Sequence, residues 1–398
     1  MAQRLPELIA GAGIAGLAAA VALSRRGLTV RVLEKRQEFS TAGAGIQIGP
    51  NGARALAALG LKDAIVPVGF KPAGICIYDG ATGRRHNTVP LGDAAQQRFQ
   101  SPYTTLRRAD LQALLRQAAM AASNVTVETG FELSGIDPAE DTIAVRSADG
   151  RTVAGAALVG ADGVWSRLRS WQGGAPPSPS GYTAYRAIIE RPLGADHLPA
   201  PFGDSNVGLW LGRSAHVVHY PVDGGASLNV VVIVQSAPGP EDWDRPGTIA
   251  DVEPHLAGWS PQLVALLRRA PEWRRWSVFT VRHVAPWAKG RTLLIGDAAH
   301  PILPFLAQGA VMALEDAVVL GRALAETLDD PTAAFVRFET LRRRRVERVA
   351  AASKRNGAIY HVTGLAAAAR DAALRLAPPA RLLGQYDWLY GYDVSASL

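Results

Sequence analysis

The sequence contains a single cysteine, Cys76, among its 398 residues. One thiol cannot form a disulfide within the chain, nor can it supply the paired thiolates of a cysteine metal site. We therefore expect no disulfide framework and no bound metal. A reducing compartment such as the cytoplasm fits this composition.

Long apolar runs are also missing. The stretch from Leu8 to Leu23 is apolar, but it includes three glycines and is shorter than the ~20 residues that a membrane-spanning helix needs. We expect neither a signal peptide nor a membrane span, and no membrane partner.

Charge is sparse, since 19% of the residues are charged and 48% are apolar, and the formal net charge is +7. Such a composition supports large cores in two or three packed domains, and the positive charge helps to draw in an acidic substrate. Only residues 337–355 are densely basic. Apolar residues at helical spacing within that stretch favour a solvated amphipathic helix over a nucleic-acid patch. These apolar residues are Phe338, Leu341, Val346 and Val349.

The N-terminal sequence predicts a strand, a glycine-rich turn, a helix and a second strand, in that order. The strands are expected at Leu5 to Ala10 and Thr29 to Glu34, and the helix at Ala15 to Arg26. The turn Gly11-x-Gly13-x-x-Gly16 allows a tight bend, a close approach of pyrophosphate to the backbone, and packing of helix on strand. Glu34 ends the second strand, where a carboxylate can accept both ribose hydroxyls. This unit predicts a dinucleotide site, without distinguishing NAD from FAD.

Two later segments repeat a strand that enters an acidic turn. Leu158 to Gly163 contains Asp162, and Arg291 to Pro301 contains Asp297. Residues 307–310 then open a helix that includes Glu315 and Asp316. A carboxylate for a ribityl hydroxyl with a helix N-terminus beyond it suits a flavin, because the helix dipole stabilises negative charge on the reduced ring.

The middle of the chain changes to strands separated by Pro, Gly and Asp turns. A hairpin is predicted around Asp79-Gly80, and helices are predicted from Asn51 to Leu59 and from Arg108 to Ala121. Further strands are expected at Ala184 to Ile189, Val207 to Leu211, His216 to Tyr220, Leu228 to Gln235 and Thr292 to Ile295.

With these motifs in order, the sequence resembles the single-component FAD-dependent aromatic hydroxylases, the para-hydroxybenzoate hydroxylase superfamily, over essentially its whole length. Within that superfamily it is most similar to hydroxylases of 3-hydroxybenzoate, 6-hydroxynicotinate and salicylate. The motifs that carry the resemblance are GAGIAG with Glu34, GADG at 160–163, GDAAHP at 296–301, residues 43–50, residues 108–111, AQGA at 307–310 and DWLYGY at 387–392.

The resemblance implies a reaction in which NADH or NADPH reduces FAD, O2 adds to form a C4a-hydroperoxyflavin, and one oxygen is transferred to a phenolic or aromatic-acid substrate. It implies an α/β fold with a Rossmann-like FAD-binding domain (residues 1–73, 98–180 and 282–345) built on a parallel sheet. A mostly antiparallel β-sheet substrate domain (residues 74–97 and 181–281) interrupts that domain, and a C-terminal helical segment (residues 346–398) follows. Dimers are common in the family, so a homodimer is compatible with the sequence.

Site residues follow from the same comparison of motifs. Arg108 matches an FAD-contacting arginine, Asp162 an aspartate linked to both FAD and nicotinamide nucleotide, and Asp297 the ribityl aspartate. The complete expected FAD site is Gly11, Gly13, Ile14, Ala15, Gly16, Glu34, Lys35, Gln47, Arg108, Asp162, Gly163, Gly296, Asp297, Pro304, Gly309 and Ala310.

The expected substrate pocket centres on His216 and Tyr220, which are four residues apart on a strand and so share one face. The alternative is a His and a Tyr satisfied within the sheet, but both match pocket residues of the hydroxybenzoate and hydroxynicotinate enzymes, where the His is a candidate base. Tyr103 matches another pocket tyrosine, and His219 faces the opposite side as a structural residue. Gln47 replaces a histidine and Pro304-Phe305 replaces a polar pair, which indicates a less polar substrate than hydroxynicotinate.

Two alternatives remain at this stage. One is an FAD monooxygenase that oxidises or epoxidises a natural-product intermediate. The other is a flavin-fold binding protein without turnover.

Overall fold

The computed structural model describes residues 4–39, 44–191, 198–236, 244–281, 286–327 and 330–396. Gly43, in one of the shared motifs, lies outside these ranges. In chain order the strands are β1 (Glu7–Ala10), β2 (Val30–Leu33), β3 (Gly45–Ile48), β4 (Gly74–Asp79), β5 (Arg85–Pro90), β6 (Thr104–Arg107), β7 (Val125–Glu128), β8 (Leu133–Pro138), β9 (Ile143–Ser147), β10 (Thr152–Gly155), β11 (Ala157–Gly160), β12 (Ser178–Glu190), β13 (Val207–Leu211), β14 (Ala215–Val222), β15 (Ser227–Gln235), β16 (Arg245–Gly247), β17 (Trp273–Thr280), β18 (Ala288–Lys289) and β19 (Thr292–Leu294). The helices are α1 (Ile14–Ser24), α2 (Pro50–Ala58), α3 (Gly92–Phe99), α4 (Arg108–Met120), α5 (Arg167–Trp171), α6 (Ile249–Val252), α7 (Pro261–Leu267), α8 (Gly309–Glu326), α9 (Pro331–Tyr360), α10 (Gly364–Leu376), α11 (Pro379–Gly384) and α12 (Asp387–Tyr390).

The first sheet has the order β18-β19-β11-β1-β2-β7. Its neighbouring strands are parallel except for the β18/β19 pair. Gly160 pairs with both Ala10 and Leu294, so the carboxyl ends of β1, β11 and β19 lie side by side. The glycine turn and both acidic turns therefore leave the same edge of the sheet, which is where open α/β sheets bind ligands. The predicted strand–helix–strand unit and the α/β fold class are confirmed.

The second sheet has the order β16-β17-β12-β15-β14-β13-β4-β5, and it is antiparallel except where β13 pairs with β4. Its two faces bury different residues because side chains alternate along each strand. On β14, Val217 packs in the core with Trp210 and Leu263, and His219 lies against Trp210 at a ring distance of 6.2 Å. His216 and Tyr220 face the other way, as the spacing predicts.

The predicted domain limits stay a prediction. The strands of the second sheet lie within 74–90 and 178–280, and β12 begins at Ser178, ahead of the predicted strand start at Ala184. A bulge between Pro179 and Tyr182 joins these two parts of the strand. Helix α9 runs unbroken through residues 345 and 346.

The interpretation of the basic stretch as a solvated helix face was wrong for two of its arginines. The stretch does lie in helix α9, and Phe338, Val346 and Val349 are buried as expected, but Leu341 is exposed. Arg342 and Arg345 point into the protein, with relative exposures of 0% and 9%. A buried arginine is stable only when it is paired, and both pair with acidic residues of α8. These pairs are Arg342 with Glu315 and Asp316, and Arg345 with Glu315.

Candidate functional site

The three glycines of the first turn differ in whether the fold itself requires glycine at that position. Gly11 has φ +102°, and a Cβ there would lie 2.6 Å from the carbonyl oxygen of Ala161. A Cβ on Gly16 would lie 1.9 Å from the carbonyl oxygen of Gly11. Gly13 has nothing within 4 Å of such a Cβ, so the fold itself does not require glycine there. Open space at the N-terminal end of α1 is what a pyrophosphate needs to approach the backbone.

Glu34 closes this turn from the next strand. Its Oε2 accepts a hydrogen bond of 2.7 Å from the backbone N–H of Ala12, and its Oε1 accepts one of 3.0 Å from that of Arg36. These contacts fix the carboxylate beside the turn, in the position expected of a ribose ligand. Lys35 follows and is exposed. Ile14 is buried at the first position of α1, and Ala15 is partly buried.

The two acidic turns are tied to each other through a buried arginine. Arg169 is 1% exposed and donates a hydrogen bond of 2.9 Å from Nη1 to the carbonyl of Ala298, and another from Nη2 to the carbonyl of Val164. Asp162 accepts hydrogen bonds at Oδ2 from the backbone of Arg167 and Leu168, at 2.8 and 3.2 Å. Its Oδ1 is buried without a partner, which leaves an acceptor available to a ligand.

Asp297 is the exposed acid of the second turn. Desolvation by the surrounding protein raises the pKa of its carboxyl, although the charges of His300 and Arg108 act in the opposite direction. Gly163, in the neighbouring turn, leaves open space around a Cβ. Position 296 requires glycine because its φ is +57° and because a Cβ added there would lie 2.9 Å from the Cβ of Ala15.

Helix α8 begins beside these turns. Ala307 adopts a left-handed φ of 52° and Gln308 precedes the helix, so the chain turns sharply from Pro304 into α8. Gly309 leaves open space at the helix N-terminus, and Ala310 is partly buried behind it. Open space at Gly13, Gly163 and Gly309, an acceptor on Asp162 and a solvent-facing Asp297 together fit the ADP and ribityl parts of a flavin dinucleotide.

A buried ion network supports this edge of the sheet. Arg342 places Nε 2.8 Å from Asp316 Oδ1 and Nη1 2.8 Å from Glu315 Oε2. Asp316 Oδ2 accepts hydrogen bonds from the N–H of Gly296, at 3.0 Å, and from His300 Nε2, at 2.7 Å. Burial alone would raise the pKa of Asp316, but His300 and Arg342 outweigh it and lower the pKa to about 2. The Gly296 turn is thus anchored to α9 through a carboxylate that stays ionised.

Polar groups cluster at one end of the predicted wall of the substrate pocket, beside the sheet face that carries His216 and Tyr220. The Tyr103 hydroxyl donates a hydrogen bond of 2.7 Å to Gln47 Oε1, and Gln47 and Asn229 lie beside the hydroxyl of Tyr220. Burial, followed by the neighbouring Tyr220, raises the pKa of Tyr103. The backbone approaches closely here, because a Cβ on Gly45 would lie 2.6 Å from the Tyr220 ring. Both phenols are therefore protonated at neutral pH and can donate hydrogen bonds.

The other end of the wall is aromatic. His216 lies 5.5 Å from the Phe305 ring and 5.2 Å from the Tyr360 ring, and it is 1% exposed. Burial, and secondarily His361, lowers the pKa of His216 well below 6.5. Phe305 also packs against Tyr182 at a ring distance of 5.0 Å. Phe305 thus lies among aromatic rings, and its role in a substrate pocket stays a prediction.

Two residues outside the expected site, Arg186 and Tyr390, complete the wall. Arg186 on β12 stacks over Trp276 at 4.6 Å, its Nε is buried without a partner, and its charge acts on both Tyr220 and Arg108. Tyr390 packs edge-on against Tyr103 at 5.9 Å. Arginine at an interior strand position was the available signal for Arg186, and the shared DWLYGY motif was the signal for Tyr390.

Tyr390 is fixed by the backbone around it. Arg54 Nη2 donates a hydrogen bond of 2.5 Å to the Tyr390 carbonyl. Arg345 Nη2 donates one of 3.1 Å to the carbonyl of Leu389. A Cβ on Gly49 would lie 2.8 Å from the Tyr390 ring. The pocket wall thus joins α2, α9 and α12.

Two other features lie apart from these groups. A cavity of about 360 Å³ beside the second acidic turn is lined by Trp287, His300 and Pro301, but His216 and Tyr220 do not line it. Asp79, His86 and Asp371 place potential ligand atoms within 4.8 Å of one another. Arg370 also contacts Asp371 at 2.8 Å. Within the described ranges, none of the helices combines the length and apolarity that crossing a membrane requires.

Known proteins are similar to this chain in sequence and fold over nearly their full length. The family model described as FAD binding domain matches residues 4–355. The chain is 35% identical over 395 residues to 3-hydroxybenzoate 6-hydroxylase of Polaromonas naphthalenivorans (strain CJ2), covering 99% of this chain and 98% of that protein. It is 33% identical over 395 residues to 6-hydroxynicotinate 3-monooxygenase of Bordetella bronchiseptica, covering 98% and 95%. The crystal structure of Klebsiella pneumoniae HpxO with FAD and uric acid has a TM-score of 0.84 at 26% identity, covering 97% and 96%.

Proposed function

The chain belongs to the FAD-binding family of these hydroxylases and monooxygenases, and we propose that it uses FAD, NAD(P)H and O2 to hydroxylate a phenolic or aromatic-acid substrate. Family membership confirms the resemblance and the FAD cofactor predicted from the sequence. The observation that carries the substrate proposal is the buried wall on which His216, Tyr220 and Arg186 share one sheet face. Hydroxybenzoate, salicylate and hydroxynicotinate types remain the candidates.

The proposed FAD site places each end of the cofactor on a separate turn. The open backbone at Gly13 and the carboxylate of Glu34 receive the ADP half, while Asp297, Arg108 and the start of α8 receive the ribityl and ring half. FAD, when bound, supplies the hydride acceptance and O2 activation that the side chains themselves cannot. The full set proposed is the one given by the sequence, including Lys35, Gln47 and Pro304.

His216 is the proposed base for the substrate hydroxyl. Its desolvated imidazole is neutral at neutral pH, because burial lowers its pKa, so an unprotonated ring nitrogen can face the proton of the substrate hydroxyl. Loss of that proton makes the phenol ring more electron-rich at the carbon to be hydroxylated. Phe305 and Tyr360 exclude water from the same end of the pocket.

Arg186 is the proposed partner of a substrate carboxylate. Its side chain is partly buried, its Nε is buried without a partner, and a guanidinium binds a carboxylate in bidentate geometry. Tyr220, Tyr103 and Gln47 supply hydrogen bonds to the remaining polar groups. An Arg186→Leu variant should bind the carboxylate-free phenol as before but lose affinity for the corresponding acid by roughly tenfold or more. If Arg186→Leu binds the acid as tightly as the unchanged protein does, Arg186 does not make this contact.

The decisive experiment measures turnover in the purified FAD-loaded protein. NADH and NADPH oxidation are followed with 3-hydroxybenzoate, salicylate and 6-hydroxynicotinate, and the products are identified by mass and ring position. Substrate-stimulated oxidation with a product gaining one oxygen supports the proposal. A product formed by epoxidation of a non-aromatic compound favours the natural-product alternative, and FAD binding without any turnover favours the non-catalytic one.

A matched pair of variants on β14 tests the base. His216→Ala should retain FAD and lose hydroxylated product by about 100-fold or more relative to NAD(P)H oxidised. His219→Leu is the control on the opposite face, because neither ring nitrogen of His219 has a partner and replacement breaks no hydrogen bond. Unchanged product yield in His216→Ala removes that residue from its role.

We also propose a cytoplasmic location, supported by the single cysteine and by the need for NAD(P)H. The homodimer stays a prediction. Light scattering on the purified protein measures it directly.

A further inference from the structure

The base proposed above has a histidine partner that no motif indicates. His361 follows the last residue of α9, and its Nε2 lies 2.9 Å from Nδ1 of His216. The two rings are 5.0 Å apart, and His361 is 7% exposed. The titratable and charged groups that face the pair are Tyr182 on β12 and Tyr360 on α9, together with Arg370 on α10, whose charge acts on His361.

A hydrogen bond between two neutral imidazoles contains one proton, and its position sets the role of His216. If Nε2 of His361 carries the proton, Nδ1 of His216 is the acceptor and its Nε2 is protonated. His216 would then be a donor with no base function. If Nδ1 of His216 carries the proton, its Nε2 is bare and can accept a proton from substrate.

Burial of His216 also makes a positive charge on its ring unfavourable. A histidine that accepts a proton in a desolvated site and keeps its own becomes an uncompensated cation, which is costly. His361 is the neighbour that can take that charge, because it is more exposed than His216, at 7% against 1%, and it follows the C-terminal end of α9, which favours a cation. Burial and the charge of Arg370 oppose this and lower the pKa of His361 to about 4, and Arg370 already donates hydrogen bonds to the carbonyls of Ile359 and Tyr360 at this helix end.

We propose that His361 is a positioning residue for His216: it accepts the Nδ1 proton of His216 and so leaves Nε2 of His216 free to take the proton of the substrate hydroxyl. The inference rests on the proposed function. In the step, the substrate O–H bond breaks and an Nε2–H bond forms on His216, while its Nδ1–H proton passes to Nε2 of His361. His216 stays neutral, His361 becomes the imidazolium, and the substrate becomes the phenolate. The reverse transfer restores the pair when the product leaves.

The first test is independent of turnover. Nitrogen-15 NMR of histidine-labelled FAD-loaded protein without substrate reports which ring nitrogen of His216 carries the proton. We expect a protonated Nδ1 and a bare Nε2. His361→Gln should preserve this tautomer because its side-chain carbonyl can accept the hydrogen bond, whereas His361→Phe should abolish the preference. A protonated Nε2 in the unchanged protein overturns the proposal.

The second test separates positioning from packing. His361→Phe should lower hydroxylated product per NAD(P)H by on the order of tenfold or more with KM changed less than about twofold, and the yield should recover as pH approaches the pKa of the free phenol. His361→Gln should retain the tautomer but still lose yield, because an amide cannot carry the proton onward. His219→Leu serves as the control for a buried histidine.

The outcomes are distinguishable. Normal yield and an unaltered pH profile in His361→Phe refute the proposal. If no aromatic compound is hydroxylated by the unchanged protein, the proposed function fails, and the tautomer measurement still decides the His216–His361 arrangement. If His361→Phe does not fold, the NMR assignment in the unchanged protein and in His361→Gln still decides it.

Discussion

Arg342→Met tests the buried ion network beneath the Gly296 turn, one of the turns proposed to bind FAD. The guanidinium contacts Glu315 and Asp316 at 2.8 Å each, and all three side chains are fully buried. Methionine has a similar length, so the change removes the charge and leaves little cavity. Breaking a buried pair by removing one partner costs about 3 to 5 kcal/mol. Because Glu315 keeps Arg345 and Asp316 keeps His300, we expect the lower end, about 3 kcal/mol.

The assay is urea unfolding at fixed, saturating FAD, followed by tryptophan fluorescence. Arg344→Met is the matched control, since Arg344 lies on the same helix but is exposed, and we expect it to change the free energy of unfolding by less than about 0.5 kcal/mol. Arg342→Met should also bind FAD more weakly, because Asp316 holds the Gly296 N–H. Equal stability of the two variants would falsify the assignment of Arg342 to the core.

The same network gives a pH dependence with a defined sign. His300 and Arg342 lower the pKa of Asp316 from 3.8 to about 2 in the folded chain. A carboxyl with a lowered pKa contributes stability that is fully present above pH 3.8 and is lost as pH falls toward 2. In Arg342→Met this pKa should rise toward 3.8, so less stability should be lost between pH 3.8 and pH 2 than in the unchanged protein. Identical acid unfolding curves for the two proteins would contradict this.

Two further predictions concern the cofactor and the pocket. Gly13→Ala should leave the FAD-free protein as stable as before, because its Cβ meets nothing within 4 Å, but should weaken FAD binding by roughly tenfold or more, measured by flavin fluorescence; unchanged affinity would place the pyrophosphate elsewhere. Tyr103→Phe removes the 2.7 Å hydrogen bond to Gln47 and should raise the KM for substrate with little effect on FAD binding. An effect on FAD alone would move Tyr103 and Gln47 from the substrate to the cofactor.

Local patterns predicted much of the fold. The N-terminal strand–helix–strand unit, the hairpin at Asp79 and the strand at Val207–Leu211 follow from hydrophobic periodicity and turn residues within a few positions of each other. The glycine turn and both acidic turns also share one edge because parallel strands carry them there. The start of β12 was missed because Pro179 and Gly181 interrupt its pattern at a bulge.

Pairings between distant residues were not readable from the sequence. Four consecutive arginines predict exposure, and periodicity alone cannot show that Arg342 meets two carboxylates from a neighbouring helix. His361 has no motif around it and becomes relevant only because α9 ends beside β14. The roles of His216, Tyr220, Gln47 and Phe305 remain predictions, although the structure places His216 with Phe305 and Tyr103 with Gln47.

The attachment of Tyr390 to Arg54 and Arg345 has a consequence for the order of assembly. The glycine turn and both acidic turns precede residue 310 in the chain, whereas Tyr390 is made much later. During N-to-C synthesis, the residues proposed to hold the cofactor are therefore all available before Tyr390 can join the proposed pocket wall. A nascent chain that lacks α12 would contain the whole proposed flavin site but only part of the proposed substrate site.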